Sequence, residues 1–161
     1  MSKRGHVDLP SIGILESLDE SELLKLSGFG HSIRMVKGEV AMEMGNRQDS
    51  LFVLLEGRME VTRVKGDSEL VIGVLKKGES FGEMSIIDPA KASATVRALE
   101  PSLIWRIRRG DLDDFILRNP DAGLRLLWQI SALLVKRLRF LDKSVADFAI
   151  EKLKEEERNS P

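Results

Sequence analysis

Residues 81–98 read FGEMSIIDPAKASATVRA, and this stretch decides the fold. Phe81 and Gly82 lead into Met84 to Ile87, long enough for one helical turn; a loop over 88–93 follows, and 94–98 return to a strand pattern. A helical turn set among strands exposes unpaired backbone N–H groups at its start. With Gly82 allowing close approach, such amides suit a phosphate. A carboxylate at Glu83 has the wrong charge for the phosphate, but it can accept hydrogen bonds from a sugar hydroxyl.

Around this interruption the texture is that of short strands. Segments rich in Val, Ile, Leu and Met cover 31–36, 40–44, 50–55, 59–64, 69–75, 94–99 and 102–108. Between most of them stand turn signals such as Lys37-Gly38, Gly45-Asn46, Glu56-Gly57, Gly66-Asp67 and Lys77-Gly78. Such spacing predicts an all-β sandwich or barrel, and connections this short require antiparallel pairing. Upstream, Leu15, Leu18, Leu23, Leu24 and Leu26 fall near helical spacing, Asp19 is a candidate N-cap, and Gly28 and Gly30 end the pattern. Residues 1–10 read as a flexible arm. Downstream, Asp111 is a candidate cap for a short helix over 112–117, and Pro120 is placed to open a long helix reaching the mid-150s. Leu127, Ile130, Leu134, Leu138, Leu141, Val145 and Phe148 follow one another at steps of three or four, which makes one stripe on that helix. The expected organisation is an arm over 1–10, helices and barrel over 11–119, and a long C-terminal helix over 120–158.

Composition narrows the chemistry. In 161 residues, 42% are hydrophobic and 32% charged, as in a chain that folds around a core. Lys and Arg number 25 against 26 Asp and Glu, so the basic excess of a dedicated nucleic-acid binder is absent. With no Cys, thiol catalysis, thiolate metal sites and disulfides are excluded. Two His, His6 in the arm and His31 at a strand start, are too few for a metal enzyme on a barrel, and no metal site is expected. Residues 1–10 lack the apolar core of a signal peptide, and no apolar run approaches the roughly 20 residues that span a bilayer, so the cytoplasm is the expected address and no membrane partner is expected.

The quoted stretch resembles the phosphate-binding cassette of cyclic nucleotide-binding domains, found in catabolite-activator-type regulators, protein kinase A regulatory subunits and nucleotide-gated channels. KGEVAMEMGNRQDSLFVLLEGRMEV (37–61) is similar to the family's early strands, LKKGESFGEMS (75–85) to the approach to its cassette, and NPDAGLRLLWQISALLVKRLR (119–139) to its closing helices. The resemblance implies a mainly β fold with flanking helices: a jelly-roll barrel (a double-stranded β-helix) followed by a long C-terminal helix. It implies a ligand-binding set of Gly82, Glu83, Met84, Ser85, Lys91, Ala92 and Ser93, with Glu83 on the ribose and Ser93 at the cyclic phosphate. The family's phosphate-pairing arginine falls on Ala92. A charge-assisted hydrogen bond contributes about 1.5–3 kcal/mol, so its loss weakens binding at least about tenfold. Lys91 has reach but lacks the bidentate fork.

In the family the closing helix pairs with its twin or covers the nucleotide base. Its base-contacting positions fall near Leu141 and Asp142, and Leu141 cannot hydrogen-bond a base edge. The helix-turn-helix that follows in the DNA-binding regulators is absent, so no direct DNA binding is expected. The resulting expectation is a non-enzymatic regulatory module that needs no cofactor. It would bind cAMP or cGMP, use the seven-residue stripe as a dimer face or a lid, with packing on the barrel as the plainer alternative, and signal through the helix to a protein partner. The alternative is a degenerate domain that dimerises or docks without nucleotide. Lys136, Arg137 and Arg139 read as a solvated helix face, and Trp105 and Trp128 as core or interface anchors.

Overall fold

The computed structural model describes residues 8–158. A 3-10 turn (Gly13–Leu15) and α1 (Glu20–Ser27) precede the strands β1 (His31–Met35), β2 (Val40–Met42), β3 (Arg47–Gln48), β4 (Ser50–Glu56), β5 (Met59–Lys65), β6 (Ser68–Leu75) and β7 (Ser80–Phe81). The short helix α2 (Glu83–Ile87) interrupts them before β8 (Ala90–Lys91), β9 (Thr95–Ala98) and β10 (Ser102–Arg108). Two helices close the chain, α3 (Arg109–Arg118) and α4 (Pro120–Arg158).

Two four-stranded antiparallel sheets, ordered β1-β10-β4-β7 and β2-β9-β5-β6, form the barrel walls, and β3 pairs with β8 in a small third sheet. The first sheet is covered on both sides. Leu51, Val53 and Leu55 of β4 join the core under the helices, with Leu26, Trp105, Phe115, Leu126 and Ile130. Phe52 and Leu54 of the same strand face the barrel interior with Phe81, Val96 and Ile104. Burial on two faces explains why β4 reads as an unbroken apolar run instead of alternating.

Local signals place the helix ends. Asp19 caps α1 in a capping box, its Oδ1 accepting from the Glu22 amide at 2.9 Å while Glu22 Oε2 accepts from the Asp19 amide at 3.0 Å. Pro120 opens α4, where its missing N–H leaves nothing unpaired. Three expectations need correction. Asp111 is no cap, because α3 already starts at Arg109 and its N-cap, Arg108, makes no side-chain bond. The expected strands omitted β3, β7 and β8, whose two residues each are too few to show a period. The arm over 1–10 is anchored at its end: Leu9 is buried in the helix-side core, since an apolar side chain beside an open core gains by entering it. Residues 1–7 of that arm, with His6, lie outside the described residues. Among the described residues no helix is long and apolar enough to cross a membrane, and no cluster of His, Asp and Glu is arranged to hold a metal ion.

Candidate functional site

Gly82 sets the geometry of the cassette. It is the N-cap of α2 at φ 81° and ψ 4°, in the left-handed region where a side chain is strained. A Cβ there would also meet the Ser50 carbonyl oxygen at 2.3 Å, so β4 passes too close for any other residue. The turn it allows aims Glu83 back into the protein, where the residue is only 2% exposed.

A buried carboxylate needs partners. Ser80 Oγ donates to Glu83 Oε1 at 3.1 Å, and Arg137 Nη1 donates to the same oxygen at 2.7 Å. Arg137 Nη2 donates to the Ser80 carbonyl at 2.8 Å, so one guanidinium ties α4 to both the acid and the strand before it. Burial nonetheless holds the Glu83 carboxyl above its ordinary range; the Arg137 charge, a backbone N–H and the Ser80 hydroxyl pull it back down without cancelling that penalty. The chemical capacity of this arrangement is that of a desolvated acceptor. It suits neutral donors, such as the hydroxyls of a sugar, in surroundings where water competes little.

The far end of the cassette is differently built. The Ala92 amide donates to the Asn46 carbonyl and its own carbonyl accepts from the Gly45 amide, both at 2.8 Å. On β8, Lys91 lies opposite Arg47. Lys91 is exposed, Ala92 buried and Ser93 exposed. Ser85 is buried in α2 and Met84 is exposed. Of the expected set, the structure brings Gly82 and Glu83 to one polar centre and leaves Lys91 and Ser93 exposed at the surface.

The helix stripe divides in two. Ile130 is fully buried, and Leu127 and Leu134 are half-buried. Leu138, Leu141, Val145 and Phe148 are exposed, as is Trp128, whereas Trp105 is a core residue. Arg137, read from the sequence as part of a solvated cluster, is the site residue that reading missed. Its signal was phase: Leu126, Ile130 and Leu133 precede it at steps of four, three and four, which put it on the inward face of α4.

Residues 33–119 match the profile of the family described as Cyclic nucleotide-binding domain. The chain is 32% identical over 131 residues to a cAMP-dependent protein kinase regulatory subunit of Mycosarcoma maydis, an alignment covering 81% of this chain and 24% of that one. Among solved structures it resembles the Thermus thermophilus catabolite activator protein with a TM-score of 0.76 and 26% identity, over 85% of this chain and 63% of that one. A cyclic nucleotide-binding domain from Methylobacillus flagellatus shares the fold at a TM-score of 0.75 and 22% identity, over 81% of this chain and 74% of that one. The chain spans about a quarter of the length of the first curated relatives it matches.

Proposed function

The chain belongs to the cyclic nucleotide-binding domain family, and from that premise we propose that it is a regulatory module that takes cAMP or cGMP and transmits the event through α4. The observation that carries this reading is the pairing of Glu83 with Arg137. A ribose hydroxyl donating to Glu83 shares the carboxylate that Arg137 already grips. Ligand and helix therefore meet at one group, and any difference in that contact between bound and free states biases the helix position. The exposed apolar residues Leu138, Leu141, Val145 and Phe148 give the helix a face for its twin in a homodimer, from which a protein output partner reads the change.

Calorimetric titration with cAMP and with cGMP tests the proposal. Saturable heat from at least one, lost in Glu83→Ala, is the expected result. No heat from either at millimolar nucleotide rejects it.

A second reading, a dimerisation or docking domain indifferent to nucleotide, is favoured by one observation. Ala92 brings no charge to the position where the family's arginine falls, and both of its backbone polar groups are used within the protein. Under that reading Leu141→Asp abolishes self-association while nucleotide changes nothing.

A further inference from the structure

We propose that Arg106, on β10 and outside the cassette, supplies the positive charge that Ala92 does not, and that it meets the phosphate of the bound nucleotide. The inference rests on the reading of the chain as a nucleotide-binding module and adds a binding residue to it.

Arg106 lies on the inward face of the first sheet. It stands two residues from Ile104, which is buried in the barrel interior, and opposite Phe52, whose other neighbour is Phe81. Its guanidinium lies 5.7 Å from the centroid of the Phe52 ring, which in turn stacks on Phe81 at 4.6 Å. Phe81 immediately precedes Gly82, so this row of side chains runs up to the mouth of the cassette.

Two further contacts locate the charge. Arg106 Nε donates to Ser50 Oγ at 2.9 Å, and the carbonyl of that serine is the atom against which Gly82 packs. Just before Ser50, β3 pairs Gln48 with Ala90 and Arg47 with Lys91, at the cassette's far end. Segment 47–50 thus touches both ends of the cassette, and Arg106 is anchored on it.

The guanidinium also has capacity to spare. Among the described residues only Nε donates a hydrogen bond. The Asp49 carboxylate stands 4.0 Å from Nη2, beyond hydrogen-bond range, and is itself more than half exposed. An ion pair of that kind holds weakly. With the side chain 28% exposed, the remaining N–H donors are partly desolvated and available to an anion.

The test is titration of wild type, Arg106→Gln, Arg106→Lys and Glu83→Ala with cAMP, and with adenosine, which has the base and ribose without the phosphate. Arg106→Gln should weaken cAMP about tenfold or more, leave adenosine unchanged, and flatten the fall of cAMP affinity with added salt. Arg106→Lys, which keeps the charge without the fork, should fall between, and it serves as the readout if the Gln variant does not fold. Wild-type cAMP affinity in Arg106→Gln, or in Arg106→Lys where that is the readout, overturns the proposal. If Glu83→Ala then still loses cAMP, the nucleotide-binding reading stands without Arg106. If wild type binds neither cAMP nor cGMP, both fall together.

Discussion

At the scale of single residues, Gly82 and Glu83 do different work. Gly82 is required by backbone geometry, so Gly82→Ala combines left-handed strain with a collision against Ser50. We expect a loss of about 2–4 kcal/mol, read as a lower urea midpoint. Glu83 is required by chemistry and opposes stability at neutral pH. Its folded pKa is raised above the ordinary carboxylate value of 4.5, so its contribution is fully present below that value and is lost as pH rises through the folded pKa. Glu83→Gln removes this loss. Relative to wild type, the Gln variant should therefore become more stable as pH increases from 4 toward 7, the reverse of what removing a surface salt-bridge carboxylate does. Urea midpoints across that range check the sign. Nucleotide affinity should move the other way in wild type, falling as acid protonates Glu83, because a protonated carboxyl accepts ribose hydroxyls less well.

At the scale of elements, α4 is two helices in physical terms. Its first half is part of the core: Ala122, Leu126 and Ile130 are buried against strands and α3. Ile130→Ala should cost about 2–5 kcal/mol, measured by denaturant unfolding. From 138 to 155 every residue is exposed. Leu138, Leu141, Val145 and Phe148 stand exposed on one face of that stretch, and an uncovered apolar face is a physical reason to expect a partner there. Leu141→Asp should leave the unfolding free energy of the monomer within about 0.5 kcal/mol and abolish self-association in sedimentation equilibrium. Sedimentation of the variant as wild-type dimer would remove the helix as the dimer face. Arg137 marks the junction between the halves, where the core stripe gives way to the polar site.

At the scale of the whole molecule, the site is a meeting of segments far apart in sequence: β4 beneath Gly82, β10 beside β4 in the same sheet, β3 against β8, and α4 across Glu83. Restoring a guanidinium to this assembly gives a gain-of-function test. Ala92→Arg should strengthen cAMP binding by about tenfold or more, measured by the same calorimetric titration. An unchanged affinity would mean that position 92 no longer points at the ligand. Much of the architecture was legible in the sequence, because strands of three to eight residues and helices with a repeating apolar face leave traces, and glycine turns and the Asp19 cap punctuate them. The stripe on α4 was equally legible, but its division into a buried and an open half was not, since periodicity says which residues share a face and not what covers it. For the same reason Glu83 announced itself through its local motif, whereas its partner, 54 residues away at Arg137, looked like one more surface cation. The sequence by itself determined the order of the elements, the cassette turn at Gly82 and the absence of an arginine at 92, all of which depend on neighbours along the chain. Only the tertiary structure decided which charges meet, because burial and ion pairing depend on distances through space that no local pattern encodes.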